Sequence, residues 1–140
     1  MRHRGRPISQ ELCNSVHEVT GMLDGLPGDS PGKMAMLELG GGYGRVAWVL
    51  AHELPEVPYV VCDIPPALAI AQRYLTTVLL RRRAFRFCHF DRPEEVADEL
   101  AAAQIALLTP NQLDLLLELD VGLCMNIGSL HDMRPDQIAH

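Results

Sequence analysis

"LELGGGYGRVAWVL" (residues 37–50) places three consecutive glycines, and a fourth two residues later, between an apolar run and a helix-like run. Glycine at such a point costs chain entropy, so it serves to permit an unusual backbone angle or a close approach. Upstream, "MAMLEL" reads as a short buried strand that the glycines end. Downstream, Val46, Ala47, Val49, Leu50 and Leu54 keep helical spacing until Pro55. Strand, glycine turn and helix N-terminus together bring backbone N–H groups up to a ligand.

The surrounding chain repeats the alternation. "YVVCD" (59–63), "IALLT" (105–109) and "VGLCMNI" (121–127) read as three more buried strands. Pro65 and Pro66 suit the first turn of a helix running to about residue 80. "RPEEVADELAAA" and "NQLDLLLEL" read as helices, whereas "FRFCHF" (85–90) fits a strand or an irregular connection equally. Ahead of this unit, residues 8–23 put Ile8, Leu12, Val16, Val19 and Leu23 on one helical stripe, and the Gly/Pro-rich residues 24–33 form a loop. Residues 1–33 are thus a tail, an amphipathic helix and a loop, and residues 34–140 an α/β domain. Buried strands alternating with helices predict a parallel sheet covered on both faces. Right-handed crossovers then make the first two strands neighbours, with ligands bound outside their carboxyl ends.

Composition narrows the classes. Hydrophobic residues at 48% with 21% charged are those of a folded domain, and 140 residues suffice for one core. A net charge of −6 argues against binding nucleic acid through bulk phosphate attraction. The opening "MRHRGR" has no apolar segment after it and reads as a solvated tail, and no apolar run approaches the roughly 20 residues that span a bilayer. Cys13, Cys62, Cys88 and Cys124 form no CxxC pair and lie in apolar segments. They read as buried reduced thiols, with the cytoplasm the expected compartment. No metal-ligand cluster is read.

The glycine register is Gly40-x-Gly42-x-Gly44, preceded by Glu38, and no frame gives the G-x-G-x-x-G of dinucleotide enzymes. An acid there suits a cationic amino group better than a pyrophosphate. Asp63, ending the second strand, can accept from ribose hydroxyls; read alone, it could instead cap the helix beginning at Pro65. An amino-acid-bearing nucleoside satisfies both ends. His131 is the candidate general base, since imidazole titrates near neutrality; its bland alternative is a hydrogen-bonded loop histidine. Asp132 could orient it only if the backbone turns back. The arginine run 81–83 suits a helix C-terminus.

The pattern resembles the first motif of class I S-adenosylmethionine-dependent methyltransferases, E/D-x-G-x-G-x-G. "LELGGGYGRVAWVL", "YVVCDIPPALAIAQRYL", "IALLTPNQLDLL" and "MNIGSLHDM" together resemble the sugar O-methyltransferase family of bacterial polysaccharide loci, over about residues 34–138. That resemblance implies a Rossmann-like class I methyltransferase sheet, and S-adenosylmethionine with a small-molecule or glycan hydroxyl as acceptor. It assigns Glu38, Gly40, Gly42, Tyr43 and Gly44 to the methionine part, Asp63 to the ribose and Ile64 to the adenine face. Asn111 falls to the adenine edge and Asn126 to the sulfonium and substrate. Asp132 stands where the family has Glu. A complete sheet has seven strands in the order 3-2-1-4-5-7-6, of which four are counted here before His140. The expectation is therefore the amino-terminal part of that sheet, with residues 121–127 as an edge that favours self-association. Two alternatives remain: a cofactor-binding fragment without catalysis, and a nucleotide-dependent oxidoreductase or epimerase.

Overall fold

A computed structural model describes residues 2–26, 34–79, 84–114 and 120–138. The opening residues are more than a tail. Strands β1 (Arg2–His3) and β2 (Arg6–Pro7) pair antiparallel around Arg4 and Gly5, both with positive φ, the requirement of a tight hairpin turn. Helix α1 (Gln10–Gly25) starts where the Ser9 hydroxyl accepts the Leu12 N–H at 3.1 Å. Its buried face differs from the expected stripe, for Val16 is exposed while Ser15 and Val19 are buried. The Ser15 hydroxyl accepts from the Arg45 guanidinium, which favours Ser15 over Val16 on the inner face.

The main sheet contains β3 (Ala35–Leu39), β4 (Tyr59–Cys62), β5 (Ala84–Phe85), β6 (Ile105–Leu108) and β7 (Val121–Asn126). All pair in parallel, in the order β5-β6-β4-β3-β7. Removing β5 leaves the four strands read from the sequence in the order 3-2-1-4. The architecture is Rossmann-like. Strand β5, only two residues long, extends the sheet beyond β6, and the chain after it is irregular through Phe90.

Both faces are covered. Val46, Ala47 and Leu50 of α2 (Arg45–Glu53) pack with Leu68, Ala71 and Leu75 of α3 (Pro65–Val78) against Met36, Tyr59, Val61, Ile105 and Leu107. Val19 of α1 joins this core. The opposite face buries Val60, Ala106 and Leu108 beneath Phe85 and Phe90, with Leu100 of α4 (Ala97–Ala101) and Leu113 of α5 (Pro110–Asp114) packed on it. The segment expected as one long helix splits into a 3-10 turn (Pro93–Glu95) and α4, broken at Val96. A 3-10 turn (Leu130–Asp132) and α6 (Pro135–Ile138) follow β7. The loop expected over residues 24–33 begins later, since Asp24 and Gly25 still belong to α1. Its residues 27–33, the arginine run 81–83 and the end of "NQLDLLLEL" lie outside the described residues. No helix among the described residues is long and apolar enough to cross a membrane.

Central strands β4 and β6 are wholly buried, whereas β7 is mostly exposed or half-buried. That gradient corrects the reading of the thiols: Cys62 is buried on β4, but Cys13, Cys88 and Cys124 are exposed. Cys124 lies on a strand paired on one side only among the described residues.

Candidate functional site

Leu39, Cys62 and Asn126 are register partners, so the carboxyl ends of β3, β4 and β7 stand side by side. The Gly40 N–H still donates to the Cys62 carbonyl at 2.8 Å, after which the chain turns into α2. Four glycines make that turn, and three answer to the protein's own packing. A Cβ at Gly40 would overlap the Ser129 side chain; one at Gly41 would stand 2.5 Å from Val61 Cγ1 and 2.9 Å from Glu38 Oε2; one at Gly44 would stand 2.9 Å from Leu75 Cδ1. Gly42 is different. Its φ is 57°, and a Cβ there would meet nothing within 4 Å. Its bare backbone faces open space, where a ligand can approach.

Asp63 joins this surface. Its Oδ2 accepts the Gly42 N–H at 2.7 Å and its Oδ1 accepts the Ile64 N–H at 2.6 Å. Helix α3 has no side-chain cap, so the cap reading of Asp63 does not describe this corner. A carboxylate has about four lone-pair sites, which leaves capacity for hydroxyl donors. Ile64, beside it, is 61% exposed, an apolar side chain held in water at the mouth of the site. The Tyr43 ring is exposed and stands edge-on to Tyr74, with centroids 5.3 Å apart.

Glu38 lies below the loop, only 3% exposed. The Tyr59 hydroxyl donates to its Oε2 at 2.8 Å. Burial pushes the carboxyl up to about pKa 7, against the Tyr59 hydrogen bond and the Arg45 charge, which pull it down. Burial, with the nearby Glu38 charge, also raises the Tyr59 phenol well above its usual range, so Tyr59 remains a donor.

Other groups shape the rim. Asn126 Nδ2 donates to the Leu39 carbonyl at 2.7 Å and to Ser129 Oγ, while its Oδ1 accepts the N–H groups of Ser129 and Leu130. Ser129 Oγ donates to the same Leu39 carbonyl at 3.0 Å. Asn126 therefore organises the turn after β7, next to Gly40. Asn111 is exposed in the first turn of α5, and its neighbour Gln112 is the buried one. Gln112 accepts from Thr109 and donates to the Cys88 carbonyl at 2.7 Å, holding the end of β6 to the chain after β5. His131 Nε2 lies 3.2 Å from Asp132 Oδ1: the 3-10 turn brings the adjacent side chains together, both largely exposed. His89 is exposed beside Asp91, and His52 is bonded to the Trp48 carbonyl within α2.

Residue patterning missed Ser129, Gln112 and the brace at Arg45. Arg45 Nη1 donates to Ser15 Oγ at 2.5 Å and to Glu18 Oε2 at 2.7 Å, fixing α1 against the start of α2. Ser15, three residues after Leu12 and four before Val19, also keeps helical spacing with them, which was the available signal. No group of three or more His, Cys, Asp and Glu able to hold a metal occurs among the described residues.

An open glycine backbone, a carboxylate bonded to it, an exposed apolar side chain beside that carboxylate and a buried acid below fit an amino-acid-bearing nucleoside. The fold is that of a Rossmann-like α/β protein, with the glycine loop as a candidate ligand surface at its strand ends. No family model matches the chain, and no curated protein matches it. Among solved structures it is similar to an O-methyltransferase family 2 protein from Planctomyces limnophilus DSM 3776, determined in complex with apigenin, at 17% identity and a TM-score of 0.40. That likeness covers 71% of this chain and 28% of the other, so the chain spans little more than a quarter of that protein's length.

Proposed function

We propose that this chain is an S-adenosylmethionine-dependent O-methyltransferase domain, with a sugar hydroxyl of polysaccharide biosynthesis as acceptor. Gly42 carries the reading: its backbone is open to solvent and its amide is held by Asp63. The register Gly40-x-Gly42-x-Gly44 after Glu38 supports it over a dinucleotide enzyme. Glu38, Gly40, Gly42, Tyr43 and Gly44 would hold the amino-acid part, Asp63 the ribose, and Ile64 with Asn111 the adenine. Asn126 would border the reacting centre. S-adenosylmethionine, when bound, supplies a methyl group on a positively charged sulfur. The protein's part is to orient the acceptor hydroxyl and exclude water from that sulfur. His131 would take the hydroxyl proton; with Nε2 engaged by Asp132, Nδ1 is the nitrogen left to accept it. A cytoplasmic location and self-association along β7 belong to the same proposal.

A second reading is cofactor binding without turnover. The side chains of His131 and Asp132, 74% and 77% exposed, favour it, because a base so open to water does little to exclude it. Calorimetric titration with S-adenosylhomocysteine, together with a labelled-methyl assay, tests both. Wild type is expected to bind, and Gly42→Ala to bind at least about tenfold more weakly while keeping its fold. Equal affinities would remove the site assignment. Binding without methyl transfer selects the second reading, and binding of a nicotinamide dinucleotide instead would indicate an oxidoreductase.

A further inference from the structure

Along the sheet face that meets α1, α2 and α3, the inward positions are Met36, Val61, Ile105, Leu107, Leu123 and Met125, all apolar, interrupted by Glu38 and Tyr59. The two polar residues meet because of register. Tyr59 pairs with Met36, one inward position behind Glu38 on the neighbouring strand, and its hydroxyl reaches forward to Oε2. Met125 Sδ lies 3.6 Å from that hydroxyl on the far side. Above, a Cβ at Gly41 would stand 2.9 Å from the same Oε2, so the carboxyl lies directly under the main chain of the loop.

We propose that Glu38 and Tyr59 form a proton-coupled selector: at mildly acidic pH the buried Glu38 holds its proton in the free protein and gives it up when a ligand ammonium settles on the loop above it. The inference rests on the S-adenosyl reading of the site and adds to it what the buried acid does. A carboxylate removed from water, with the single hydrogen that Tyr59 can donate, is poorly compensated. The charged groups acting on it are Arg45 of α2, Glu18 of α1 and Asp63 beyond β4, while β7 presents only the Met125 thioether. Arg45 is already paired with Glu18, which takes up much of its charge. A cation above the loop supplies what the empty site lacks. The proton leaves Glu38 for solvent and the ammonium balances the carboxylate. Tyr59 is a positioning residue here, since it acts through Glu38.

Two ligands isolate the effect: S-adenosylhomocysteine, which carries an ammonium, and its deaminated analogue, which keeps the nucleoside, thioether and carboxylate without it. Titration of the full chain at pH 6 in buffers of different ionisation enthalpy should show release approaching one proton for the first and none for the second. For the first, the release should fade above pH 8, with affinity rising up to about tenfold per pH unit below 7. Glu38→Gln should abolish the release and erase the preference between the ligands. Tyr59→Phe, which keeps the ring but not the donor, should shift the release profile to higher pH, which loss of packing alone would not do. In the free protein, a carbon-detected titration of the Glu38 carboxyl should have its midpoint near 7. Buffer-independent heats for S-adenosylhomocysteine, or a midpoint near the ordinary 4.5, would overturn the proposal. Failure of both ligands to bind would overturn the cofactor reading itself, and the inference with it.

Discussion

Gly40 and Ser129 occupy one another's space so closely that a Cβ on the glycine would overlap the serine side chain. Both also engage the same short stretch, since Ser129 Oγ donates to the carbonyl of Leu39, the residue before Gly40. The loop after β3 and the turn after β7 are therefore fitted as one surface.

Gly40→Ala should be strongly destabilising, because φ is 75° and the added methyl collides with Ser129. We expect a loss of about 2–4 kcal/mol, of which left-handed backbone accounts for about 1–2 kcal/mol. Ser129→Gly removes the collision but also the Ser129 Oγ hydrogen bonds. Gly40→Ala should therefore cost less in the Ser129→Gly background than in wild type, as read by urea denaturation of the four proteins. An equal cost in both backgrounds would contradict the fit.

Asp63→Ala removes the acceptor for two backbone N–H groups and, in the proposed function, for ribose. S-adenosylhomocysteine affinity should fall by about 1–3 kcal/mol, the range for hydrogen bonds to a charged group. Calorimetry alongside a thermal melt separates the roles. Lower stability with unchanged affinity would reduce Asp63 to a clasp for Gly42.

Glu38 makes stability depend on pH. Its folded pKa of about 7 lies above the ordinary 4.5, so the folded chain holds the proton more tightly than the unfolded one. That contribution is fully present below pH 4.5 and is lost as pH rises through 7, by roughly 3 kcal/mol in order of magnitude. Urea midpoints between pH 4.5 and 8.5 should fall accordingly. Glu38→Gln should flatten the decline and exceed wild type at pH 8; parallel curves for the two proteins would exclude Glu38 as the titrating group.

The β7 edge is expected to recruit a second chain. It carries no charge or proline, and Cys124 on it is exposed. Gly122 is left without a partner by a register shift, so Leu123–Asn126 is the part in continuous register with β3. Cys124→Lys should reduce light scattering from the purified protein. A strictly monomeric wild type would remove this edge as an association surface.

The four main strands were legible because each is an apolar run ended by a turn signal. Crossover handedness made only the first two neighbours, and the full order 3-2-1-4 came from the family resemblance. Strand β5 was not legible, since two residues carry no period and only pairing with Ile105 and Ala106 makes Ala84–Phe85 a strand. Partnership between Glu38 and Tyr59 needs the inter-strand register, which no local pattern contains. Val16 was misplaced for a related reason: a hydrogen bond from Arg45, 30 residues away, turns Ser15 rather than Val16 inward. Ser129 and Gln112 act through main-chain carbonyls at Leu39 and Cys88, and such pairings leave no mark on composition.

Arg45 is the residue after Gly44, yet its guanidinium is anchored on Ser15 and Glu18 of α1. The first helix and the glycine turn are thus tied together and are expected to open as one unit, although residues 27–33 and a whole strand separate them in the chain. In hydrogen exchange, amides of Trp48 and Gly44, bonded to Gly44 and Gly41 carbonyls, should lose protection together with those of α1 rather than with β4. A proteolytic cut between α1 and β3 would then be felt first at the ligand surface, as a slackening of the turn that holds Gly42 open.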